Sequence, residues 1–229
     1  MPGRLIVFEG GEGVGKTTQI QTLYTWLQDD PRVYRLQEKS LISEILITRE
    51  PGGSDLGKDI RHLLLDYTPQ SAEEAIAPQT ELLLYAADRA QHVEQYLRPH
   101  LEHNAIILCD RYTDSTVAYQ GYGRGLDQTL IQTLNQIATN GLQSDLTFWL
   151  DMDVEAGLSR TRKRGQADRM EKNAQSFHER VRSGFQTLAQ DNPHRIMRIN
   201  ANQSIEAVST DIRTVLRQKL NEWYDTFDE

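Results

Sequence analysis

Near the N-terminus the chain reads Gly10-Gly11-Glu12-Gly13-Val14-Gly15-Lys16-Thr17, followed by Thr18. The stretch fits the pattern G-x-x-x-x-G-K-[ST], with an apolar run before it and helical spacing after it. Glycines lack the Cβ that would block a phosphate, so successive backbone N–H groups can turn towards its oxygens. A ligand-free turn between a strand and a helix would not require Lys16 and Thr17 in this register. The stretch therefore predicts a phosphate-binding loop, with Lys16 on the β- and γ-phosphates of a nucleotide and the Thr17 hydroxyl on Mg²⁺.

Five short apolar runs rich in β-branched residues predict strands over residues 5–8, 45–48, 105–109, 146–150 and 195–199. The runs are nearly continuous rather than alternating, which is typical of strands buried on both faces. Helical spacing predicts helices over residues 16–27, 55–65, 78–97, 127–139, 154–164, 173–189 and 205–220. Strands that alternate with helices predict an α/β fold, in which a parallel sheet has helices packed on both faces.

Length, charge and cysteine content limit the class of protein. A chain of 229 residues suits one α/β domain, so we expect a single domain over residues 1–229. The net charge of −8 argues against nucleic acid or a membrane surface as a partner, because anionic phosphates repel such a protein. The single Cys109 excludes an internal disulfide. No apolar run reaches the roughly 18 residues that span a bilayer, and no signal-peptide layout is present, so we expect a cytoplasmic protein.

Charged residues at the ends of the predicted strands indicate a second binding site. Arg49 follows the second strand, Asp110-Arg111 follow the third and Asp151 the fourth. Ligands of parallel sheets bind beyond the carboxyl ends of the strands, and arginine offers a planar fork to phosphate oxygens. A salt bridge would explain either arginine alone, but two of them beside a phosphate loop favour a site for the phosphate of an acceptor. Asp110 either holds water around Mg²⁺ or braces Arg111, and the sequence leaves both roles open.

A basic segment follows the fourth predicted strand and its helix. Around Gly165 it contains Arg160, Arg162, Lys163, Arg164 and Arg169. Most charge runs are solvated helix faces. The glycine, the position in the fold and the acidic remainder of the chain instead favour a lid over about residues 160–171. Such a lid would close over a triphosphate, exclude water and neutralise charge on the migrating phosphoryl group.

Three further motifs accompany the phosphate loop. They are Thr48-Arg49-Glu50-Pro51-Gly52-Gly53, then Tyr85-Ala86-Ala87-Asp88-Arg89-Ala90-Gln91, then Asp110-Arg111-Tyr112 continuing to Ser115 and Ala118-Tyr119-Gln120-Gly121. In this order, from about residue 4 to about residue 220, the chain resembles the thymidylate kinases of the P-loop nucleoside monophosphate kinases. The resemblance implies a P-loop NTPase fold with a five-stranded parallel sheet, and a homodimer. It also implies ATP with Mg²⁺ as the donor, bound by residues 10–18, and dTMP as the acceptor, so that dTDP is made for dTTP and DNA synthesis.

The resemblance implies roles for residues around the phosphate and sugar of dTMP. Arg49 and Arg111 match the residues that bind the dTMP phosphate. Pro51 matches a cis-proline beside that phosphate, and Glu12 matches the acidic residue that contacts the 3′-hydroxyl. Tyr119 matches a position where a ribose 2′-hydroxyl would clash.

The resemblance also implies contacts to thymine. Tyr85 matches the aromatic residue that stacks on the base, and Arg89 the arginine that bonds its O4. Residues four apart share a helix face, so these two can grip one base together; simple core packing is the alternative for Tyr85. Thr116 and Gln120 are expected to make polar contacts to the base, and Ser115 is expected to line the same site.

Members of the family take a catalytic arginine either from the phosphate loop or from the lid. Gly13 stands where the first type has a basic residue, so the lid of this chain is expected to supply it. Arg164 is the first choice, and Arg160 or Arg162 the reserve; Asp168-Arg169-Met170-Glu171 would close the lid. With Lys16, Glu12 and Arg111, Arg164 makes up the predicted catalytic set. A general base is not needed because the acceptor is already a phosphate anion.

Other functions share part of this pattern. A P-loop kinase acting on another nucleoside monophosphate or on a deoxynucleoside is the nearest alternative, and Arg49 with Arg111 favours a phosphorylated acceptor. A GTP-dependent switch would need the Asn-Lys-x-Asp motif, which the sequence lacks. A DNA-handling ATPase would need a basic surface, which a charge of −8 does not promise. Residues 29–40 and 67–77 are the expected surface excursions, the first longer than the usual link of the family.

Overall fold

A five-stranded parallel sheet forms the centre of the computed structural model, which describes residues 3–68, 75–165 and 168–224. The strands are β1 (Arg4–Glu9), β2 (Ile45–Arg49), β3 (Ile106–Asp110), β4 (Leu146–Asp151) and β5 (Ile196–Asn200). They lie in the order β2-β3-β1-β4-β5, and every neighbouring pair runs parallel. The predicted strands and the α/β fold are confirmed, with strand ends shifted by at most one residue.

Helices follow the strands along the chain. They are α1 (Lys16–Asp29), α2 (Pro31–Glu38), α3 (Asp55–Asp66), α4 (Pro78–His92), α5 (Arg98–Glu102), α6 (Thr113–Thr116), α7 (Gln128–Thr139), α8 (Val154–Arg164), α9 (Gln175–Asp191) and α10 (Ile205–Tyr224). Two π-helical stretches, Val93–Leu97 and Val117–Gly123, continue α4 and α6. Every predicted helix is present.

The central strand shows why the sequence forms a sheet with two covered faces. Ile6 and Phe8 pack into a core with α1 and α10, whereas Leu5 and Val7 pack with Val93–Leu97 on the other side. Side chains alternate across a strand, so a run of apolar residues supplies both cores at once. Because both faces of the sheet are covered, the carboxyl ends of the strands are where a ligand can bind.

Residues 29–40, the expected surface excursion, are mostly exposed, and a helix forms the greater part of them. They include α2, which begins with Asp30 accepting a hydrogen bond from the backbone N–H of Arg32 and with Pro31 at the first helical position. Val33 and Leu36 are buried in the same core as α1 and α10. Only these two of its residues face inward, so the polar composition concealed a short amphipathic helix.

Two further expectations concern residues 67–77 and membrane-spanning segments. Of the predicted excursion at 67–77, residues 69–74 lie outside the described residues. Among the helices that the structure describes, none is both long enough and apolar enough to cross a membrane.

Candidate active site

The main cavity opens at the carboxyl ends of β1, β2 and β3. Its volume is about 480 Å³. The phosphate loop after β1 forms one wall, and residues after β2 and β3 form another. Side chains of α3 and α4, the π-helical stretch after α6, and parts of residues 160–171 complete the lining. Parallel strands bring these segments together because their carboxyl ends lie at one edge of the sheet.

The phosphate loop requires glycine at position 13. Its φ of 69° is in the left-handed region, and a Cβ there would lie 2.2 Å from the carbonyl oxygen of Gly157 in α8. A Cβ on Gly157 would in turn lie 2.4 Å from the Glu12 carbonyl oxygen. Loop and helix therefore pack backbone against backbone, which gives a steric reason why this loop carries no arginine at position 13.

Lys16 begins α1 and its ammonium lies inside the loop. Nζ donates to the carbonyl oxygens of Gly10 and Gly11, at 3.3 and 3.1 Å. Burial, and then the charge of Arg111, lower the pKa of Lys16. Thr17 and Thr18 are exposed at the start of the same helix and line the cavity. The first turn of α1 thus presents a cation, two hydroxyls and backbone N–H groups to one place, which suits a polyphosphate.

Asp110 supplies the oxygen that a magnesium site would need. Its Oδ1 is buried without a hydrogen-bond partner among the described residues. Arg111 donates its hydrogen bonds to Gly10, Ser115 and Glu12 and none to Asp110, although the charge of Asp110 helps to raise the pKa of Arg111. No group of three acidic, histidine or cysteine side chains in the described structure forms a metal cage. Mg²⁺ commonly binds through one or two protein oxygens plus phosphates and water, so Thr17 and Asp110 fit it.

Glu12, Arg111 and Tyr119 form a connected set beside the loop. Arg111 Nη2 donates to Glu12 Oε1 at 3.0 Å, and the Tyr119 hydroxyl donates to the same oxygen at 2.6 Å. Burial would raise the pKa of Glu12, but the charges of Arg111 and Lys16 outweigh it and lower the pKa to about 2. Glu12 is therefore ionised at neutral pH, and it can accept a hydrogen bond from a sugar hydroxyl.

Glu9 holds the segment that carries Arg111 and Ser115. Its carboxylate accepts bonds from the backbone N–H groups of Tyr112 and Ser115, at 2.8 and 3.0 Å, and from the Ser115 hydroxyl at 2.5 Å. Burial, and next the charge of Asp114, raise the pKa of Glu9 to about 7. The sequence did not reveal this role, since the partners of Glu9 lie more than 100 residues away along the chain.

Two arginines stand together at the predicted acceptor-phosphate site. The exposed side chain of Arg49 lines the cavity, as predicted, and so does Arg61 of α3, which the sequence analysis missed. Arg61 Nη1 donates to the Pro51 carbonyl oxygen at 2.9 Å. Burial, and then the neighbouring charge of Arg49, lower the pKa of Arg61. A single cation in a helical segment gives no sequence signal, so only the fold reveals this partner.

The helix α4 contributes Tyr85 and Arg89 to the cavity. Tyr85 is half-buried and lines the cavity, and burial raises the pKa of its hydroxyl. Arg89 also lines the cavity, although its side chain is only 2% exposed. The Glu50-Pro51 peptide bond beside them is cis, as the resemblance implies. Tyr85 and Arg89, four residues apart on α4, can therefore contact the same ligand.

Thr116 and Gln120, the predicted polar contacts of the base, line the cavity together with Ser115, and all three also form hydrogen bonds within the protein. Thr116 Oγ1 accepts from Arg89 Nη1 at 2.8 Å, and Gln120 Nε2 donates to Glu81 Oε1 at 2.9 Å. The Ser115 hydroxyl lies between Glu9 and Arg111. Thr116 and Ser115 thus orient the neighbouring arginines in this structure.

The structure separates the predicted lid arginines. Arg160 is exposed and lines the cavity, whereas Arg162 is exposed without lining it. The side chain of Arg164 lies outside what the structure describes. Arg169 is not among the residues that line the cavity; it pairs with Glu81 at 2.6 Å and donates to the Leu64 carbonyl oxygen. Its guanidinium anchors the end of the segment.

Asp151 lies at the carboxyl end of β4, as predicted, but it does not line the main cavity. Arg182 of α9 and Arg198 of β5 pair with its two carboxylate oxygens, at 2.7 and 2.5 Å. The local sequence around a carboxylate at a strand end is the same whether that carboxylate binds a ligand or forms ion pairs with arginines elsewhere in the chain.

Known proteins match this chain over nearly its whole length. The sequence model of the family described as thymidylate kinase matches residues 8–212. The chain belongs to the thymidylate kinase family. The thymidylate kinase of Acaryochloris marina is 55% identical over 231 residues, covering 98% of this chain and 100% of that protein. That of Trichodesmium erythraeum is 55% identical over 225 residues, covering 97% and 99%.

A solved thymidylate kinase structure shares the fold. The crystal structure of the enzyme from Ehrlichia chaffeensis matches with a TM-score of 0.73 and 32% sequence identity, over 94% of this chain and 100% of that one. The thymidylate kinase family thus accounts for the phosphate loop, the sheet order and the motifs that converge on the cavity.

Proposed function

We propose that this protein is a thymidylate kinase, which transfers the γ-phosphoryl group of ATP to dTMP and forms ADP and dTDP for dTTP synthesis. One observation carries the proposal. A single cavity joins the phosphate loop to Arg49 and Arg111 and continues to Tyr85 and Arg89. The cavity therefore has adjoining positions for a donor phosphate, an acceptor phosphate and a pyrimidine base. Membership of the family supports the same assignment.

In the proposed mechanism residues 10–18 bind the phosphates of ATP, with Lys16 on the β- and γ-phosphates. Mg²⁺, held by Thr17 and Asp110, would neutralise charge on the triphosphate. Arg49 and Arg111 hold the dTMP phosphate in line with the γ-phosphoryl group. Its oxygen is already anionic, so alignment and charge neutralisation carry the reaction without a general base.

The lid arginines would act on the migrating group. Arg160 lines the cavity beside the loop, and Arg164 lies one helical turn further along α8. Cations there neutralise charge that develops on the phosphoryl oxygens. A covered site also excludes water, which competes with dTMP for the γ-phosphoryl group.

The remainder of the acceptor site would select a deoxypyrimidine. Glu12 accepts from the 3′-hydroxyl, and Tyr119, held by Glu12, occupies the space of a 2′-hydroxyl. Tyr85 stacks on the thymine ring while Arg89 donates to O4. Ser115 and Thr116 act through Arg111 and Arg89, and Gln120 borders the base.

We also propose that two copies of this chain, each a single kinase domain, form a homodimer in the cytoplasm. The helices α3, α4 and α7 pack side by side and expose large apolar side chains, namely Leu56, Leu63, Leu83, Leu130 and Ile137. A second copy would cover such a surface. Sedimentation at micromolar concentration tests this: a dimer is expected, and Leu83→Glu should shift it towards monomer, whereas a wild-type monomer would contradict it.

The function is tested by measuring ADP formation from ATP and Mg²⁺ with dTMP, dUMP, UMP, CMP, AMP, GMP and thymidine offered singly. We expect turnover to depend strongly on dTMP, with dUMP weaker and ribonucleotides near background. Preference for another acceptor would overturn the roles of Tyr85 and Arg89. Hydrolysis that is indifferent to every acceptor would contradict a kinase.

A further inference from the structure

A buried polar cluster lies directly behind Arg89. Glu50 Oε2 accepts from Arg89 Nε at 2.8 Å, and Glu50 Oε1 lies 3.0 Å from His92 Nδ1. His92 Nε2 in turn lies 2.7 Å from the Thr48 hydroxyl. The side chains of Glu50, Arg89 and His92 are each at most 2% exposed. Water does not compete for these bonds, so the cluster fixes its members firmly.

The bonding of the cluster defines the proton positions. The Glu50 carboxylate is paired with Arg89 and, when ionised, can only accept. His92 Nδ1 must therefore carry the proton that it shares with Glu50. A Cβ on Gly53 would lie 2.4 Å from the His92 ring, so the loop after Pro51 packs directly against it. The imidazole is held on one side by this loop and on the other by the carboxylate.

Counting donors shows what remains for a ligand. A guanidinium has five N–H groups. Arg89 gives Nε to Glu50, both Nη1 protons to Thr116 and Asn135, and one Nη2 proton to the Tyr112 carbonyl oxygen. Among the described residues this leaves one N–H, on Nη2, and Arg89 lines the cavity. The guanidinium cannot rotate to offer a different edge without breaking several buried bonds.

A fixed donor discriminates by chemistry at one position of the base. An oxo group at C4 of a pyrimidine accepts the remaining N–H. An amino group there would set donor against donor, and the buried N–H would lose its partner. Sites that present a fixed polar group discriminate more strongly than apolar pockets do. The discrimination depends on how rigidly Arg89 is held.

We propose that Glu50 and His92 are positioning residues that lock Arg89 and thereby set the preference for a 4-oxo over a 4-amino pyrimidine nucleotide. The inference rests on the proposed role of Arg89 in reading the base. Glu50 is the centre of the clamp, because its two oxygens serve Arg89 and His92 separately. His92 keeps the carboxylate from turning.

The test compares dTMP with 5-methyl-dCMP, which differs from dTMP in the 4-substituent and the proton at N3. Glu50→Gln has nearly the same shape but carries no charge and has one acceptor oxygen, so Arg89 loses its ion pair and His92 keeps a bond only in its other tautomer. We expect the ratio of kcat/KM for dTMP to that for 5-methyl-dCMP to fall at least about tenfold, mainly through a higher KM for dTMP. His92→Phe should lower the ratio as well, whereas His92→Gln, which can both donate and accept, should restore most of it.

Two controls separate the outcomes. Asp151→Asn disrupts an equally buried carboxylate outside the cavity and should leave the ratio unchanged. Arg89→Gln should abolish the preference.

Three outcomes decide between the alternatives. If Arg89→Gln lowers the ratio but Glu50→Gln and His92→Phe reduce kcat/KM for both substrates in parallel, the clamp is merely structural and the inference fails. If Arg89→Gln leaves the ratio unchanged, the proposed base reading fails. Should Glu50→Gln not fold, as judged by circular dichroism, His92→Phe against His92→Gln decides.

Discussion

Glu12 illustrates how single side chains of this site are held in one charge state. Two cations and the Tyr119 hydroxyl surround its carboxylate, so its pKa falls to about 2 in spite of burial. Arg111, in turn, is oriented by hydrogen bonds to Gly10, Ser115 and Glu12 within the protein itself. Preorganisation of this kind reduces what a substrate must reorder on binding. The sequence motifs supply the residue types, and the bonds between them supply the geometry.

Tyr85 permits a test at the scale of one ring. We expect Tyr85→Ala to weaken dTMP binding by about tenfold to a hundredfold, because loss of base stacking costs about 1–3 kcal/mol. ATP binding should change little, since its phosphates are assigned to residues 10–18 and Tyr85 is assigned to the base of dTMP. Tyr85→Phe keeps the ring and serves as the matched control. Calorimetric titration with each nucleotide measures both affinities, and an unaltered dTMP affinity in the alanine variant would show that Tyr85 is only a packing residue.

At the scale of elements, α8 divides the lid arginines by their helical position. Arg160 lines the cavity, position 164 follows four residues later on the same face, and Arg162 lies off that face. We expect Arg164→Ala to lower kcat by about a thousandfold or more, the scale of a lost catalytic arginine, with dTMP affinity nearly unchanged. Arg162→Ala is the control and should retain most of the turnover. Single-turnover kinetics distinguishes the two effects; a loss of dTMP affinity alone would remove Arg164 from the catalytic set.

The helix α2 offers a separate test away from the chemistry. Leu36 is buried in the core beside α1 and α10, so Leu36→Ala should reduce the free energy of unfolding by about 2–5 kcal/mol. Arg35→Ala, at an exposed position of the same helix, should change it by less than about 0.5 kcal/mol. Urea unfolding measures both. KM for dTMP should be the same in the two variants, and a selective rise in Leu36→Ala would mean that α2 supports the site directly.

The elements also show where sequence reasoning reaches its limit. The strands are found because their continuous apolar runs reflect burial on both faces. The segment Thr113–Gly123 was not predicted as helical, since it is short, contains two glycines and shows no regular apolar spacing, although it bears four predicted site residues. Arg61 and the partners of Asp151 escaped for a related reason. Their roles depend on side chains that are distant in sequence and meet only in the folded chain.

At the scale of the whole molecule, several buried carboxyl groups lie in and around the site, and burial opposes the ionisation of each. Burial, followed by nearby Asp114, raises the pKa of Glu9 to about 7, and burial, followed by nearby Glu50, raises that of Asp88 to about 6. Glu12 and Glu81 have lowered pKa values, because nearby positive charges outweigh their burial; these are mainly Arg111 and Lys16 at Glu12, and Arg124 at Glu81. These two classes give the stability of the protein opposite dependences on pH. A difference between variants is therefore needed to isolate one group.

Asp88 is suited to that comparison. Its Oδ1 accepts from the backbone N–H of Gly52 at 2.9 Å, which an asparagine oxygen can still do, while Oδ2 is buried without a partner among the described residues. Because the folded pKa of about 6 exceeds the usual 3.8, the folded state binds more protons between these values. Stability due to Asp88 is thus present below about pH 4 and lost as pH rises through 6. Asp88→Asn removes this loss, so the variant should match the wild type near pH 4 and exceed it above pH 7 by up to about 3 kcal/mol, the equivalent of the shift. Urea unfolding at both pH values measures the difference; a variant that is equally destabilised at both would show that the Asp88 charge carries no such penalty.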